Sequence, residues 1–195
     1  MTTDTTTVAS ATTETLLSVR DLDVTYETFG GSVAAVRNVS FDLHEREALG
    51  IIGESGSGKS TLAYAILDYL AKNGGRSGAV RFRGDNLFDK TEREMTQIRG
   101  NRIAMVYQNP YSSLNPSLTI GRQLDEVTMF HLGRSRREAR EESIAILKDL
   151  YLGDAEGIVT RYPHQISGGM QQRVCIAMAM LCRPDVMVMD EPTTA

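Results

Sequence analysis

One eight-residue segment constrains this chain more than any other feature. It reads Gly53-Glu54-Ser55-Gly56-Ser57-Gly58-Lys59-Ser60. An apolar run at residues 48–52 precedes it and predicts a buried strand, and apolar residues then follow at helical spacing up to Gly74-Gly75, which is predicted to stop the helix. Strand, glycine-rich loop and helix in this order match G-x-x-x-x-G-K-[ST], whose backbone N–H groups surround a phosphate chain.

A glycine and serine turn that only joins a strand to a helix is the plain structural alternative. All eight positions fit the motif in the context that its mechanism needs, which favours phosphate binding. Lys59 would reach the β- and γ-phosphates, and the Ser60 hydroxyl would ligate Mg²⁺. The residues assigned to nucleotide phosphates here are Gly53, Ser55, Gly56, Ser57, Gly58, Lys59, Ser60 and Thr61.

A pair of carboxylates, Asp190 and Glu191, follows a second apolar run at residues 186–189. At the tip of a buried strand near the phosphate loop, Asp190 would hold Mg²⁺ directly or through water. Glu191 would point elsewhere and would orient or deprotonate the water that attacks the γ-phosphate. Any buried strand can end in solvated acids, so the assignment depends on the loop upstream.

A second glycine pair opens another helix shortly before that strand. The segment reads Ile166-Ser167-Gly168-Gly169-Met170-Gln171-Gln172-Arg173. Ser167 would hydrogen-bond a γ-phosphate, and the two glycines would allow close backbone approach at a positive helix end. The plain alternative is an N-cap followed by glycines. With the loop, this octapeptide and the acidic pair in this order, the chain resembles the ATP-binding cassette (ABC) ATPases.

The resemblance implies roles for two further residues. Gln108 matches the glutamine that senses Mg²⁺ and the γ-phosphate and links the core to a helical insertion. Tyr26 matches the aromatic that stacks on adenine, although a strand aromatic packing in the core is the alternative. The resemblance then assigns catalysis to Glu191, Gln108 and Lys59. It assigns the binding of Mg²⁺ to Ser60, Gln108 and Asp190, and it implies that the nucleotide is ATP.

Two longer segments narrow the resemblance. Residues 108–116 and 162–170 look like the ATPase subunits of dipeptide, oligopeptide and nickel importers. This implies a peripheral subunit on the cytoplasmic face of the membrane that hydrolyses ATP to energise solute import. Its partners would be membrane-spanning permease subunits, a second ATPase subunit whose residues 167–170 complete the site, and indirectly a solute-binding protein.

The chain stops where the resembled family continues. After Asp190-Glu191 only Pro192-Thr193-Thr194-Ala195 remain, and the family's D-loop and switch histidine would follow. We interpret the sequence as part of a longer protein and expect the 195-residue chain alone to be close to inactive.

The fold class that these patterns predict is α/β. It would have a P-loop NTPase core, an antiparallel β subdomain in residues 16–43 and a helical insertion at about residues 109–170. Residues 16–195 would form the ATPase domain, and residues 1–15 a disordered Thr-rich tail. Thr91 with Glu94 and Ser135 with Glu138 predict capping boxes that open two further helices.

Composition excludes several classes of protein. The formal net charge of −4 makes dedicated nucleic-acid binding unexpected, and no apolar run approaches the roughly 20 residues of a membrane helix. The N-terminal tract has no apolar core of a secretory signal. Cys175 and Cys182 lie seven residues apart on a predicted helix, beyond disulfide reach, and are interpreted as small buried residues.

Three other functions remain open at this stage. DNA-repair and chromosome-organising ATPases share the glycine motifs but insert long coiled coils, whereas Lys59 and Ser167 here are only 108 positions apart. Translation-associated cassette proteins are expected to carry two cassettes and a charged linker. A fragment that binds nucleotide without hydrolysing it is the third alternative.

Overall fold

The structure, a computed structural model, describes residues 14–191. The strands are β1 (Thr15–Thr28), β2 (Gly31–His44), β3 (Gly74–Phe82), β4 (Asp85–Asn86), β5 (Ile103–Val106) and β6 (Val186–Met189). The helices are α1 (Lys59–Ile66), α2 (Glu92–Ile98), α3 (Pro110–Ser113), α4 (Ile120–Leu132), α5 (Arg136–Asp149), α6 (Ala155–Ile158) and α7 (Gly168–Met180). Of the predicted tail, residues 1–13 lie outside the described residues, as do residues 192–195, and β1 already includes Thr15.

The first four strands form an antiparallel sheet in the order β2-β1-β3-β4. One face of β1 is turned toward the core, where Val19, Leu22 and Val24 are fully buried, and a register shift between Val19 and Leu22 interrupts the alternation. Leu62 and Ile66 of α1 pack in the same cluster, together with Ile103 of β5 and Val186 of β6. The sheet therefore covers α1, which follows the glycine-rich loop.

β5 and β6 form a parallel pair in which Ile103 is opposite Val186 and Val106 is opposite Met189. The helices α3 to α7 lie between these strands in the chain, and α4, α5 and α7 share a second core that includes Leu124, Leu147 and Val174. The predicted α/β class, with an antiparallel sheet and a helical insertion, is confirmed. Because β5 and β6 are parallel, their carboxyl ends meet at one edge.

Local capping chemistry starts the helices at the predicted residues. Thr91 and Ser135 each accept a hydrogen bond from the backbone N–H three residues on, and each capping box is complete. Ser167 caps α7, since its Oγ accepts a hydrogen bond from Met170 N at 3.4 Å. Behind these caps, buried Asp125 of α4 pairs with Arg140 of α5 at 2.6 Å, which ties the two helices together.

Two predicted elements differ from the structure. The predicted strand at residues 48–52 is wrong, because these residues form no regular strand and Ile52 is 95% exposed. Among residues 14–191, β5 and β6 form a sheet of two strands, and residues 48–52 are not part of it. The predicted helix stop at Gly74-Gly75 is also wrong, because α1 ends at Ile66 and Asp68 takes a left-handed conformation.

The two glycines instead belong to β3, where Gly74 is opposite Tyr26. A Cβ on Gly74 would lie 2.9 Å from Cε1 of Tyr26, which explains the glycine by close packing.

An ion-pair junction joins the two sheets. Asp185, just before β6, accepts hydrogen bonds from Arg83 at 3.0 Å and from Arg102. Arg102 first, and then Arg83, hold the pKa of Asp185 below its usual range. Within the described part of the chain, no helix combines the length and apolar character needed to cross a bilayer.

Candidate nucleotide site

The glycine-rich loop has the backbone conformation that its glycines allow. Gly56 and Gly58 have φ values of +80° and +95°, a region that L side chains rarely adopt. A Cβ on Gly58 would lie 2.3 Å from the carbonyl oxygen of Ala35 in β2, and one on Gly53 would lie 2.6 Å from Oγ of Ser57. The loop is therefore folded tightly against itself and against β2, and it ends at the first turn of α1.

Lys59 folds back over this loop. Its Nζ donates hydrogen bonds to the carbonyl oxygens of Gly53 at 3.0 Å and Glu54 at 3.1 Å. The same Nζ lies 3.4 Å from Oε1 of Glu191, across from the carboxyl end of β6. The ammonium group thus joins the loop to the acidic pair.

Gln108 and Glu191 meet at the shared edge of β5 and β6. Nε2 of Gln108 donates a hydrogen bond to Oε2 of Glu191 at 2.6 Å. Glu191 has a φ of +44°, an uncommon value for a residue with a side chain. The three residues assigned to catalysis from the sequence, Lys59, Gln108 and Glu191, are therefore brought together.

Asp190 is buried, with 7% of its surface exposed, and its backbone N–H donates to the carbonyl oxygen of Val106 at 3.0 Å. This bond extends the ladder between β5 and β6 by one residue. Ser60 and Thr61 lie in the first turn of α1. Ser60, Gln108 and Asp190 offer hydroxyl, amide and carboxylate oxygens, which are the donor types that Mg²⁺ takes in proteins.

Near the aromatic position Tyr26 lies Tyr64, which the sequence analysis does not single out. Tyr26 is partly buried against the core of the antiparallel sheet, and it lies near Tyr64 of α1. Burial, and then the nearby charge of Asp190 and the phenol of Tyr26, raise the pKa of Tyr64. Tyr64 stacks on Tyr107 with ring centroids 6.1 Å apart. The sequence signal for Tyr64 is its position four residues after Ser60, which places both residues on the same face of α1.

A cavity of about 470 Å³ adjoins the site. Its lining includes Lys59, Asp190 and Glu191 on one side and the irregular residues 48, 49 and 51 on another.

The second glycine pair lies at the start of α7. A Cβ on Gly168 would lie 2.8 Å from Oη of Tyr111, whereas one on Gly169 would meet nothing within 4 Å. The two glycines therefore have different surroundings.

Sequence comparison identifies the relatives of this chain. The family described as ABC transporter matches residues 36–194. The oligopeptide transport ATP-binding protein OppD of Salmonella typhimurium is 48% identical over 180 residues, covering 92% of this chain and 54% of that protein. The dipeptide transport ATP-binding protein DppD of Bacillus subtilis is 44% identical over 184 residues, covering 93% and 55%. The chain thus spans about half the length of the curated relatives it matches.

Solved structures show the same fold. The dimeric post-hydrolysis state of the ATP-binding cassette MJ0796, bound to ADP and Pi, superimposes with a TM-score of 0.82 at 30% identity. The match covers 92% of this chain and 75% of that one. The cbiO1 protein of Clostridium perfringens, part of an ABC transporter complex, gives a TM-score of 0.73 at 25% identity, with 93% and 67% covered.

Proposed function

Because the chain belongs to the ABC transporter family, we propose that it forms the ATP-binding and hydrolysing part of a subunit that energises the import of dipeptides or oligopeptides. The observation that carries this proposal is the meeting of Lys59, Gln108 and Glu191 beside a glycine-rich loop. The substrate class is supported by the names of the relatives, which are oligopeptide and dipeptide transport ATP-binding proteins.

The loop suits a chain of phosphates. Gly56 and Gly58 have positive φ, which lets the backbone turn sharply, and the start of α1 adds positive partial charge. Lys59 would exchange its hydrogen bonds to the carbonyl oxygens of Gly53 and Glu54 for the β- and γ-phosphates. These hydrogen bonds would keep the lysine close to the phosphates that it is proposed to contact.

The oxygen donors of Ser60, Gln108 and Asp190 would hold Mg²⁺, which supplies charge neutralisation for the phosphates when bound. Buried Asp190 is placed at the edge of the sheet by its hydrogen bond to Val106. Glu191 would orient the attacking water and accept its proton. It becomes available for this when Gln108 and Lys59 turn from its carboxylate to the nucleotide.

Transport requires partners that this chain does not contain. We infer permease subunits and a second ATPase subunit, because the relatives are transport proteins and the superimposed cassette is dimeric. In this arrangement Ser167, Gly168 and Gly169 of one subunit would contact the nucleotide of the other. Tyr26 would stack on adenine at the far end of the same nucleotide, and a solute-binding protein would deliver the peptide on the other side of the membrane.

The test is Glu191→Gln in the full-length protein assembled with its transporter. The amide keeps the size of the side chain and loses the proton acceptor, so ATP binding should persist while turnover falls by about 10²- to 10⁴-fold. Binding is measured by calorimetry and turnover by phosphate release, with the exposed acid Glu141→Gln as a control. Turnover at the wild-type rate would remove Glu191 from the role of base.

A further inference from the structure

Tyr26 lies near the end of β1, the strand that has a neighbour on each side in the antiparallel sheet. It is opposite Val33 of β2 on one side and Gly74 of β3 on the other. Its side chain is partly buried and packs against the core cluster to which α1 contributes. The backbone that carries this ring is therefore held between two strands.

The ladder between β1 and β3 continues one residue past Tyr26, although Asn73 lies in the turn before β3. The backbone N–H of Glu27 donates a hydrogen bond to the carbonyl oxygen of Asn73 at 2.9 Å. In return, the side-chain Nδ2 of Asn73 donates to the carbonyl oxygen of Glu27, also at 2.9 Å. In a regular antiparallel pair this second bond comes from a backbone N–H. The amide side chain of Asn73 thus fastens the chain directly after Tyr26.

Gly74, the next residue, leaves room for the ring. Its φ is not positive, so the backbone conformation does not require glycine, and a glycine within a strand weakens the sheet. The position that a Cβ would occupy lies within 3.2 Å of Cε1 of Tyr26, Cβ of Leu70 and the carbonyl oxygen of Ala71. The edge of the ring therefore lies beside the bare backbone of β3, an arrangement in which an aromatic side chain compensates for a strand glycine.

We propose that Asn73 and Gly74 are positioning residues for the nucleobase, because they hold the Tyr26 ring in the place where it stacks on adenine. This inference rests on the proposed function, which assigns the stacking to Tyr26. Neither Asn73 nor Gly74 needs to touch the nucleotide. Their effect is to fix the ring before the base arrives, which lowers the entropic cost of binding.

The first consequence concerns Gly74→Ala, whose methyl group would displace the ring. Stacking of a base on an aromatic side chain is worth about 5- to 150-fold in affinity, so Tyr26→Ala should weaken ATP binding within that range and Gly74→Ala by part of it. In the Tyr26→Ala background, Gly74→Ala should cause no further loss, because the ring through which it acts is absent. Gly75→Ala is the matched control, since a Cβ there meets Oγ1 of Thr25 at 3.2 Å and not the ring.

The second consequence concerns Asn73→Ala. Asn73 is exposed, so this substitution removes the side-chain bond to Glu27 without opening a cavity. One hydrogen bond shifts a conformational equilibrium by about 2- to 10-fold, and ATP affinity should fall by up to the same factor as the ring leaves its place. Asn101→Ala is the matched control, because Nδ2 of Asn101 also donates to a carbonyl oxygen, that of Gln97 at 3.2 Å.

The experiment uses the full-length protein and its variants. Affinity for Mg·ATP is measured by calorimetry, and thermal unfolding is measured in parallel. Base stacking is followed with 2-aminopurine riboside triphosphate, whose fluorescence is quenched when the base stacks on an aromatic ring. We expect lower ATP affinity together with weaker quenching of the bound analogue in Gly74→Ala and Asn73→Ala, and neither change in the two controls.

Lower ATP affinity with unchanged quenching would overturn the proposal, because the base would still be stacked. Unchanged affinity and quenching in either variant, or a further loss when Gly74→Ala is added to Tyr26→Ala, would also overturn it. If Gly74→Ala does not fold, the result for Asn73→Ala decides. Wild-type affinity and quenching in Tyr26→Ala would instead refute the stacking assigned under the proposed function, and this inference with it.

Discussion

Gly58→Ala would place a side chain at the tightest point of the glycine-rich loop. The new Cβ would lie 2.3 Å from the carbonyl oxygen of Ala35, which is a backbone atom. The Cβ is itself fixed to the backbone of the loop. Neither atom can therefore rotate away, as the end of a long side chain could. Gly56→Ala is a matched control, since Gly56 also has positive φ but a Cβ there meets nothing within 4 Å.

The two substitutions share one energetic term and differ in another. The left-handed conformation costs about 1–2 kcal/mol for alanine, and this applies to both positions. At position 58 the backbone must also separate by about 0.7 Å to reach the roughly 3.0 Å that a Cβ tolerates. Such overpacking adds about 1–3 kcal/mol, so Gly58→Ala should destabilise the fold by about 2–5 kcal/mol.

Unfolding in urea and titration with Mg·ATP measure the two effects. Lys59 follows Gly58 directly, and its displacement by a large part of an ångström should weaken ATP binding up to about 10²-fold. Gly56→Ala should show the smaller destabilisation and the smaller loss of affinity. Equal behaviour of the two variants in both assays would refute the contact with Ala35 as the reason for the glycine.

The remaining predictions concern single side chains. Lys59→Ala should abolish tight Mg·ATP binding, because the positive charge that the lysine places beside the β- and γ-phosphates is lost. Unchanged ATP affinity by calorimetry would contradict the assignment of the loop. Burial lowers the pKa of His131, so the unfolded chain binds its proton more readily and stability should fall as pH drops through about 6.5. Between about pH 7.5 and 5.5, His131→Gln should therefore lose less unfolding free energy than the wild type, and an equal loss would exclude His131 as the source.

Features that depend on neighbours in the chain could be predicted from the sequence. The capping boxes at Thr91 and Ser135 need only residues three positions apart, and both are present in the structure. The cap at Ser167 follows the same chemistry. The order of motifs along the chain was enough to predict the α/β class, because parallel strands joined by helices leave few other arrangements.

Features that depend on distant partners could not be predicted in this way. Residues 48–52 have the apolar composition of a buried strand, but a strand also needs a neighbour, and composition does not supply one. The local pattern at Gly74 is typical of a helix stop, and it contains no information about the ring of Tyr26, which lies 48 positions earlier in the chain. The position of Tyr111 beside the start of α7, with its Oη 2.8 Å from where a Cβ on Gly168 would lie, is of the same kind. Both residues stand inside recognisable motifs, yet only the packing of α3 on α7 brings them together.

The two thiols have a practical consequence for labelling this protein. Burial raises the pKa of the Cys175 thiol to about 11, so at neutral pH only about one such group in ten thousand is the reactive thiolate. Burial, and then the charge of Glu142, raise the pKa of Cys182 as well. A cysteine introduced at an exposed position, such as Glu141→Cys on α5, should therefore react with maleimide dyes far faster than either native thiol. Fluorescent probes for the proposed association of two subunits can then be attached without first removing Cys175, which lies within α7, or Cys182, which follows it.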